Sequence, residues 1–232
     1  MLLNAADKAL WRLALPMIFS NITVPLLGLV DTAVIGHLDS PVYLGGVAVG
    51  ATATSFLFML LLFLRMSTTG LTAQAWGAKD PQRLARALVQ PLALALGAGV
   101  LIILLRLPLI DLALHIVGGS EAVLEQARRF LEIRWLSAPA SLANLVLLGW
   151  LLGVQYARAP VILLVVGNLL NIVLDLWLVM GLRMNVQGAA LATVTAEYAT
   201  LIIGLLMAKR VLTLRDGLIV GERKGTGERA AF

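Results

Sequence analysis

Long apolar runs alternate with short polar connections along the whole chain, and this pattern predicts helices that cross a membrane. Six runs are about twenty residues long with almost no charge, at residues 10–35, 42–66, 87–107, 135–154, 160–180 and 186–207. An α-helix needs about twenty mostly apolar residues to cross the hydrocarbon core of a bilayer. We therefore predict an all-α integral membrane protein whose residues 1–210 form a bundle of six transmembrane helices.

Two runs carry residues that predict special helix geometry. The first run contains Pro16 and Pro25, and we expect both to bend it, because a proline removes a backbone hydrogen bond. The second run opens with small residues, among them Gly45, Gly46 and Gly50, which favour close packing against a neighbouring helix.

The segments between and after the runs are polar or amphipathic. Residues 67–86 read as a polar connection with a turn near Pro81, and residues 120–134 as an amphipathic interfacial helix with Ser120 as its N-cap. Residues 211–232 are rich in glycine and charge and contain no apolar run long enough to span. We expect this tail to be solvated and largely disordered.

The distribution of basic residues predicts the orientation. With six spans, thirteen of the 18 Lys and Arg residues fall on the side that carries both termini, and five fall on the other side. The positive-inside rule then places both termini in the cytoplasm.

Composition supports a membrane protein and excludes several functions. Hydrophobic residues make up 60% of the chain and charged residues 13%, whereas a soluble domain has about a quarter charged residues. The net charge of +5 does not indicate nucleic-acid binding, because the basic residues lie between apolar runs. The absence of cysteine excludes disulfides and thiol chemistry. His37 and His115 are too far apart in sequence to indicate a metal site.

The fifth run carries polar residues on one helical face. Asn168, Asn171 and Asp175 are spaced i, i+3 and i+7, so a helix brings them to the same side. A carboxylate within a membrane span costs several kcal/mol unless it faces a bundle interior or a wet cavity. We therefore take Asp175, with the two amides beside it, as the centre of a candidate site.

Two further polar residues, Asp31 and Thr193, lie at a similar depth on other runs. At a rise of about 1.5 Å per residue, Asp31, Asp175 and Thr193 all lie within roughly 10 Å of the outer ends of their spans. They can share one cavity, which Glu197, one turn below Thr193, extends inward. Such a group of side chains can exchange protons, or bind Na⁺ with Asp175 and Asn171 as ligands. The alternative is a buried hydrogen-bond network that only fixes helix packing.

Four motifs resemble one transporter family. The run LPMIFSNITVPLLGLVDTAVIGH at 15–37 is similar to the first helix of multidrug and toxic compound extrusion (MATE) transporters, AQAWGAKD at 73–80 to the signature after their second helix, NIVLDLWLV at 171–179 to helix five, and GAALATV at 188–194 to the start of helix six. The resemblance covers residues 7–210 and is closest to the DinF branch.

The resemblance implies a bacterial inner-membrane antiporter that expels amphipathic, often cationic compounds, coupled to H⁺ or Na⁺ and without another cofactor. It also implies a site on Asp31, Asn171, Asp175 and Thr193, with Pro16 as the helix-bending proline. Family members have two lobes of six helices, so we expect this lobe to need a second lobe, or a second copy of itself, for transport.

Three alternatives remain from the sequence. The chain can be a truncated remnant or a membrane subunit that transports nothing. A flippase for lipid-linked sugars is a further candidate, but runs one, five and six offer only Arg12 as a base near the interior. An intramembrane aspartyl protease on Asp31 and Asp175 lacks the YD and GxGD motifs, because Val30 and Leu174 precede the two acids.

Overall fold

The computed structural model describes the backbone of residues 4–228; the side chains at 17, 20, 21, 23–28 and 215–228 are outside the description. Within the described residues, all regular structure is helical. The helices are α1 (Ala5–Gly36), α2 (Pro41–Leu60), α3 (Phe63–Gly77), α4 (Pro81–Leu104), α5 (Arg106–Val117), α6 (Glu121–Arg134), α7 (Ala138–Gly153), α8 (Arg158–Asp175) and α9 (Asn185–Glu228). A 3₁₀ turn at Trp135–Ser137 joins α6 to α7, and a π-helical segment at Leu176–Gly181 follows α8.

Most of this bundle is long and apolar enough to cross a membrane. Five segments of the described chain qualify by length and composition: Pro41–Gly77, Pro81–Leu104, Glu121–Gly153, Arg158–Gly181 and Asn185–Leu214. Helix α1, whose side chains are described only in part, has 32 residues, which exceeds the length that a span requires. The all-helical membrane fold predicted from the sequence is confirmed.

The outer surface of the bundle is apolar. Large hydrophobic side chains there are among the most exposed of the described chain, including Phe56 at 71%, Met59 at 73% and Leu104 at 74%. Water would penalise such a surface, whereas lipid chains cover it at no cost. The protein is therefore a multi-pass membrane protein.

Helix α7 lies at the centre and is buried along nearly its whole length. Close approach to α4 is possible because Gly99 has no side chain: a Cβ there would lie 2.2 Å from the Cα of Pro139. The small residues of α2 likewise allow close approach to α6: a Cβ on Gly46 would lie 2.5 Å from the Cβ of Gln126. The expectation that these small residues favour close helix packing is confirmed.

The connection predicted at 67–86 is mostly helical, with its turn confined to residues 78–80. Residues up to Gly77 are helical and form α3, and only a short turn precedes Pro81. The reason is that the hydroxyls of Thr68 and Thr69 donate to the carbonyls of Leu64 and Arg65 in their own helix, 2.6 and 2.9 Å away. Their polarity is thereby satisfied within the helix.

The interfacial helix predicted at 120–134 also needs correction. Helix α6 starts after Ser120, as predicted, but it continues through the 3₁₀ turn into α7 as part of one 33-residue segment. Ala127, Phe130 and Leu131 are buried inside the bundle. The apolar face of the amphipathic helix therefore packs against other helices of the bundle.

Two further sequence predictions concern the C-terminal tail and the prolines of α1. Residues 211–228 continue α9 as helix, in place of the expected disordered tail, and residues 229–232 are outside the described chain. No proline follows residue 207, so nothing interrupts the backbone hydrogen bonds of α9. Pro16 lies inside the continuous helix α1; Pro25 lies in the same helix, and its side chain is outside the description.

Candidate ion and substrate site

The centre of the candidate site is a pair of carboxyl groups contributed by α1 and α8. Asp175 is 1% exposed, and Asp31 is a charged neighbour close enough for a shared hydrogen bond when one of the two groups carries a proton. Among the described residues, no hydrogen-bond donor reaches either oxygen of Asp175 or the Oδ1 atom of Asp31. In the part of the chain that the structure describes, Asp175 therefore has no donor side chain to compensate it, and Arg134 acts on Asp31 through its charge.

Asn171 lies one turn before Asp175 on the same face of α8. It is 2% exposed, and its Oδ1 atom also has no donor within the described part of the chain. Buried polar atoms are normally paired, so a cluster of unpaired oxygens indicates a site for something not contributed by the protein. Carboxylate and amide oxygens are suitable ligands for a hard cation.

The backbone changes form next to this cluster. Asp175 ends α8, and the π-helical segment Leu176–Gly181 begins at the next residue, with the amide of Leu182 donating to the carbonyl of Trp177 at 2.9 Å. Such π segments are rare and occur frequently at functional sites.

A cavity of about 290 Å³ lies beside the cluster, between α7, α8 and α9. Four residues selected from the sequence line it: Asn168, Asn171, Thr193 and Glu197. Thr193 donates its hydroxyl proton to the carbonyl of Ala189, 3.1 Å away in its own helix. Asp31 and Asp175 are not among the lining residues, so the structure divides the single predicted cavity into a carboxyl pair and a neighbouring chamber.

Sequence reasoning missed two polar residues of this chamber. Arg134 ends the segment predicted as an interfacial helix, but its side chain is only 13% exposed and lines the cavity. Asn144, within the fourth apolar run, donates to the Oε2 atom of Glu197 at 2.9 Å and to the carbonyl of Glu197 at 3.1 Å. Arg134 follows Ala127 and Leu131 at helical spacing, and this stripe was the available signal.

The position of Arg134 also bears on the alternative of a flippase for lipid-linked sugars. The sequence offered only Arg12 near the interior, whereas the structure adds a buried base in the chamber. Its charge is opposed by Glu197, whose Oε1 atom lies 4.0 Å from Nη2 of Arg134. The chamber lining has no excess of positive charge, so it does not suit a pyrophosphate group.

The helical membrane fold defines the class of protein, a polytopic membrane protein with an acid, Asp175, buried among its helices. The MatE family model matches residues 16–177, which is more than half of the chain, and the chain belongs to this family. MatE proteins are transporters and not enzymes, which excludes the alternative of an intramembrane aspartyl protease.

Similar proteins agree with this assignment. DNA damage-inducible protein F of Escherichia coli (strain K12) is 85% identical over 230 residues, which are 99% of this chain and 50% of that protein. A probable multidrug resistance protein NorM of Thermotoga maritima is 28% identical over 219 residues, 91% of this chain and 47% of that protein. The resemblance to the DinF branch stated from the motifs is confirmed.

Solved structures show the same relationship. A MOP superfamily transporter from Pyrococcus furiosus superimposes with a TM-score of 0.78 at 29% identity, covering 85% of this chain and 43% of that one. An outward-facing multidrug resistance MATE family transporter gives 0.77 at 29% identity, covering 85% and 44%. The chain thus spans about half the length of the relatives it matches, and it corresponds to their N-terminal half.

Proposed function

We propose that this chain is the N-terminal lobe of an antiporter that expels amphipathic, often cationic compounds in exchange for H⁺ or Na⁺. The observation that carries the proposal is the pair of Asp31 and Asp175: among the described residues, no donor reaches the buried Asp175 carboxyl group or the Oδ1 atom of Asp31. Two unpaired carboxylates at membrane depth are costly, and a bound proton or Na⁺ removes their mutual repulsion. The pair therefore has a physical reason to bind an ion and to respond when the ion leaves.

The ion site combines residues of two helices that can move relative to each other. Asp31 is on α1, whereas Asn171 and Asp175 are on α8. A proton shared by the carboxyl groups, or Na⁺ held by both carboxylates and the Asn171 oxygen, stabilises the arrangement in which these helices are together. Loss of the ion restores the repulsion and favours their separation, which links ion binding to a change of conformation.

Substrate binding is assigned to the neighbouring chamber. Apolar side chains such as Leu145, Leu148 and Leu163 form part of its wall, while Asn168, Thr193 and Glu197 add polar groups. A mostly apolar chamber whose acid, Glu197, lies 4.0 Å from the base Arg134 fits an amphipathic compound. The names of relatives, such as multidrug resistance protein and multidrug export protein, are in keeping with such a substrate.

A second six-helix lobe is part of this proposal. Alternating access requires one bundle to rock against another around a central site, and the relatives are about twice as long as this chain. We place the protein in the bacterial inner membrane with both termini in the cytoplasm, as the distribution of basic residues predicts.

The test is drug susceptibility of a pump-deficient bacterium that expresses either this 232-residue chain or the chain joined to a second lobe. Protection by the joined form alone supports the proposal as stated. Protection by the short chain supports transport by a self-dimer, and crosslinking would then locate its interface. If neither form protects although both reach the membrane, the alternative of a non-transporting membrane subunit replaces the proposal.

A further inference from the structure

We propose that Arg134 and Glu197 form an exchangeable ion pair that sets the charge preference of the chamber. Glu197 binds the cationic group of a substrate, and Arg134 is the internal cation that this group displaces. The inference rests on the function proposed above and assigns specificity to residues outside the carboxyl pair.

The carboxylate of Glu197 has one fixed oxygen and one available oxygen. Asn144 holds the Oε2 atom through a 2.9 Å hydrogen bond and also donates to the backbone carbonyl of Glu197. The Oε1 atom faces Nη2 of Arg134 across 4.0 Å, beyond hydrogen-bond distance. The carboxylate is therefore oriented by an amide while its second oxygen remains only loosely paired.

The two partners differ in their access to the chamber. The side chain of Glu197 is 29% exposed, whereas that of Arg134 is 13% exposed. A cation that enters the chamber reaches the carboxylate more easily than the guanidinium. This asymmetry identifies Glu197 as the group that contacts substrate and Arg134 as the group that gives way.

Arg134 has other partners that stabilise it when Glu197 is occupied. Its guanidinium donates to the hydroxyl of Ser137 and lies 5.7 Å from the centre of the Phe58 ring, a cation–π distance. Asp31 also acts on it electrostatically, in addition to Glu197. Displacement from Glu197 therefore does not leave a buried charge without compensation, which makes the exchange inexpensive.

The balance of charge in the chamber lining makes the proposed ion-pair exchange testable. Among the described residues that line it, Arg134 and Glu197 are the two that carry charge. Their pairing leaves the wall neutral, so removal of one partner gives the chamber the sign of the other. Two single substitutions must then change the binding of a cation in opposite directions, whereas a purely structural pair would lower it in both cases.

The experiment measures equilibrium binding of tetraphenylphosphonium, a monovalent amphipathic cation, to the purified chain in detergent micelles. Triphenylphosphine oxide, which is neutral and also carries phenyl rings, is the matched probe. We expect Glu197→Gln to weaken cation binding about tenfold, the weight of one interaction with a charged group. Arg134→Gln is expected to strengthen cation binding several-fold, and the neutral probe should bind all forms alike.

A double variant keeps the test decisive if one of the single variants fails to fold. Replacement of both partners by neutral side chains leaves no unpaired buried charge, so Arg134→Gln with Glu197→Gln is expected to fold even where a single variant does not. It should bind the cation more weakly than the unaltered chain and with no preference over the neutral probe. An unchanged preference in the double variant, or a loss of cation binding in both single variants, overturns the inference.

Failure of this inference can be distinguished from failure of the proposed function. Efflux that depends on Asp31 and Asp175, together with a cation preference that ignores Arg134 and Glu197, overturns the inference alone. A chain that binds no cation, and drives no efflux when it is joined to a second lobe, overturns both.

Discussion

Replacement of Asp175 by asparagine is expected to make the protein more stable while it abolishes ion-coupled transport. Asp175 is 1% exposed, and within the described chain neither of its oxygens has a donor. Its neighbour Asp31 presents a second unpaired oxygen to the same region. The native side chain is thus unfavourable for folding, and its presence is explained by function.

The size of the effect follows from the unpaired atoms. A buried polar group without a partner costs about 1–3 kcal/mol. Asparagine has nearly the same shape, removes one charge from the pair and supplies an NH₂ group that can donate to Asp31. We expect the free energy of unfolding to rise by about 1–3 kcal/mol, since one unpaired acceptor is replaced by a hydrogen bond.

Thermal unfolding in detergent micelles at neutral pH measures this change, at about 2–4 °C in Tm for each kcal/mol. Asp111→Asn is the matched control, because Asp111 pairs with Arg128 on the surface and is 60% exposed. Loss of that exposed pair should lower stability by less than about 1 kcal/mol. A clear loss of stability in Asp175→Asn would refute the reasoning, because it would show that the carboxylate holds the fold together.

Four further substitutions test the carboxyl pair, the chamber and the helix packing. Asp31→Asn should abolish ion-driven efflux by the chain joined to a second lobe while the protein stays folded, as measured by drug accumulation in cells. Thr193→Ala should lower efflux only mildly in the same assay, because one neutral hydrogen bond contributes about 1 kcal/mol. Gly99→Ala should destabilise the bundle by about 1–3 kcal/mol in thermal unfolding, since its methyl group would overlap Pro139; Gly97→Ala, with open space around it, should stabilise the helix by up to about 1 kcal/mol.

Each of these expectations has a result that contradicts it. Normal efflux by Asp31→Asn would remove the carboxyl pair from the coupling site. A loss of efflux in Thr193→Ala as large as that in Asp175→Asn would mean that the hydroxyl belongs to the ion site. Equal melting temperatures for Gly99→Ala and Gly97→Ala would show that α4 and α7 have room to separate.

The sequence was sufficient to predict what depends on helical spacing within one segment. Asn168, Asn171 and Asp175 are three and four residues apart, so any helix brings them to one face, and the structure places Asn168 and Asn171 in the chamber wall. Glu197 and Thr193 followed from the same argument, since four residues separate them on α9. The membrane class followed from the length of the apolar runs, which the bilayer thickness dictates.

Contacts between segments that are distant in sequence could not be predicted from helical spacing. Asn144 reaches Glu197 across 53 residues of sequence, and Trp135 reaches Thr54 across 81, donating to its hydroxyl at 3.0 Å. No periodicity encodes which helices become neighbours. Arg134 was misplaced for a related reason: charge near the end of an amphipathic helix looks the same whether that helix lies in the interface or inside a bundle.

The most direct test of the central claim is gradient-driven uptake of tetraphenylphosphonium by everted membrane vesicles that contain the chain joined to a second lobe. Imposed pH and Na⁺ gradients are compared separately for the unaltered protein and for Asp31→Asn and Asp175→Asn. The account predicts uptake by the unaltered protein under at least one gradient, and none by either variant. Uptake by both variants at the unaltered rate would contradict the assignment of the carboxyl pair as the ion-coupling site.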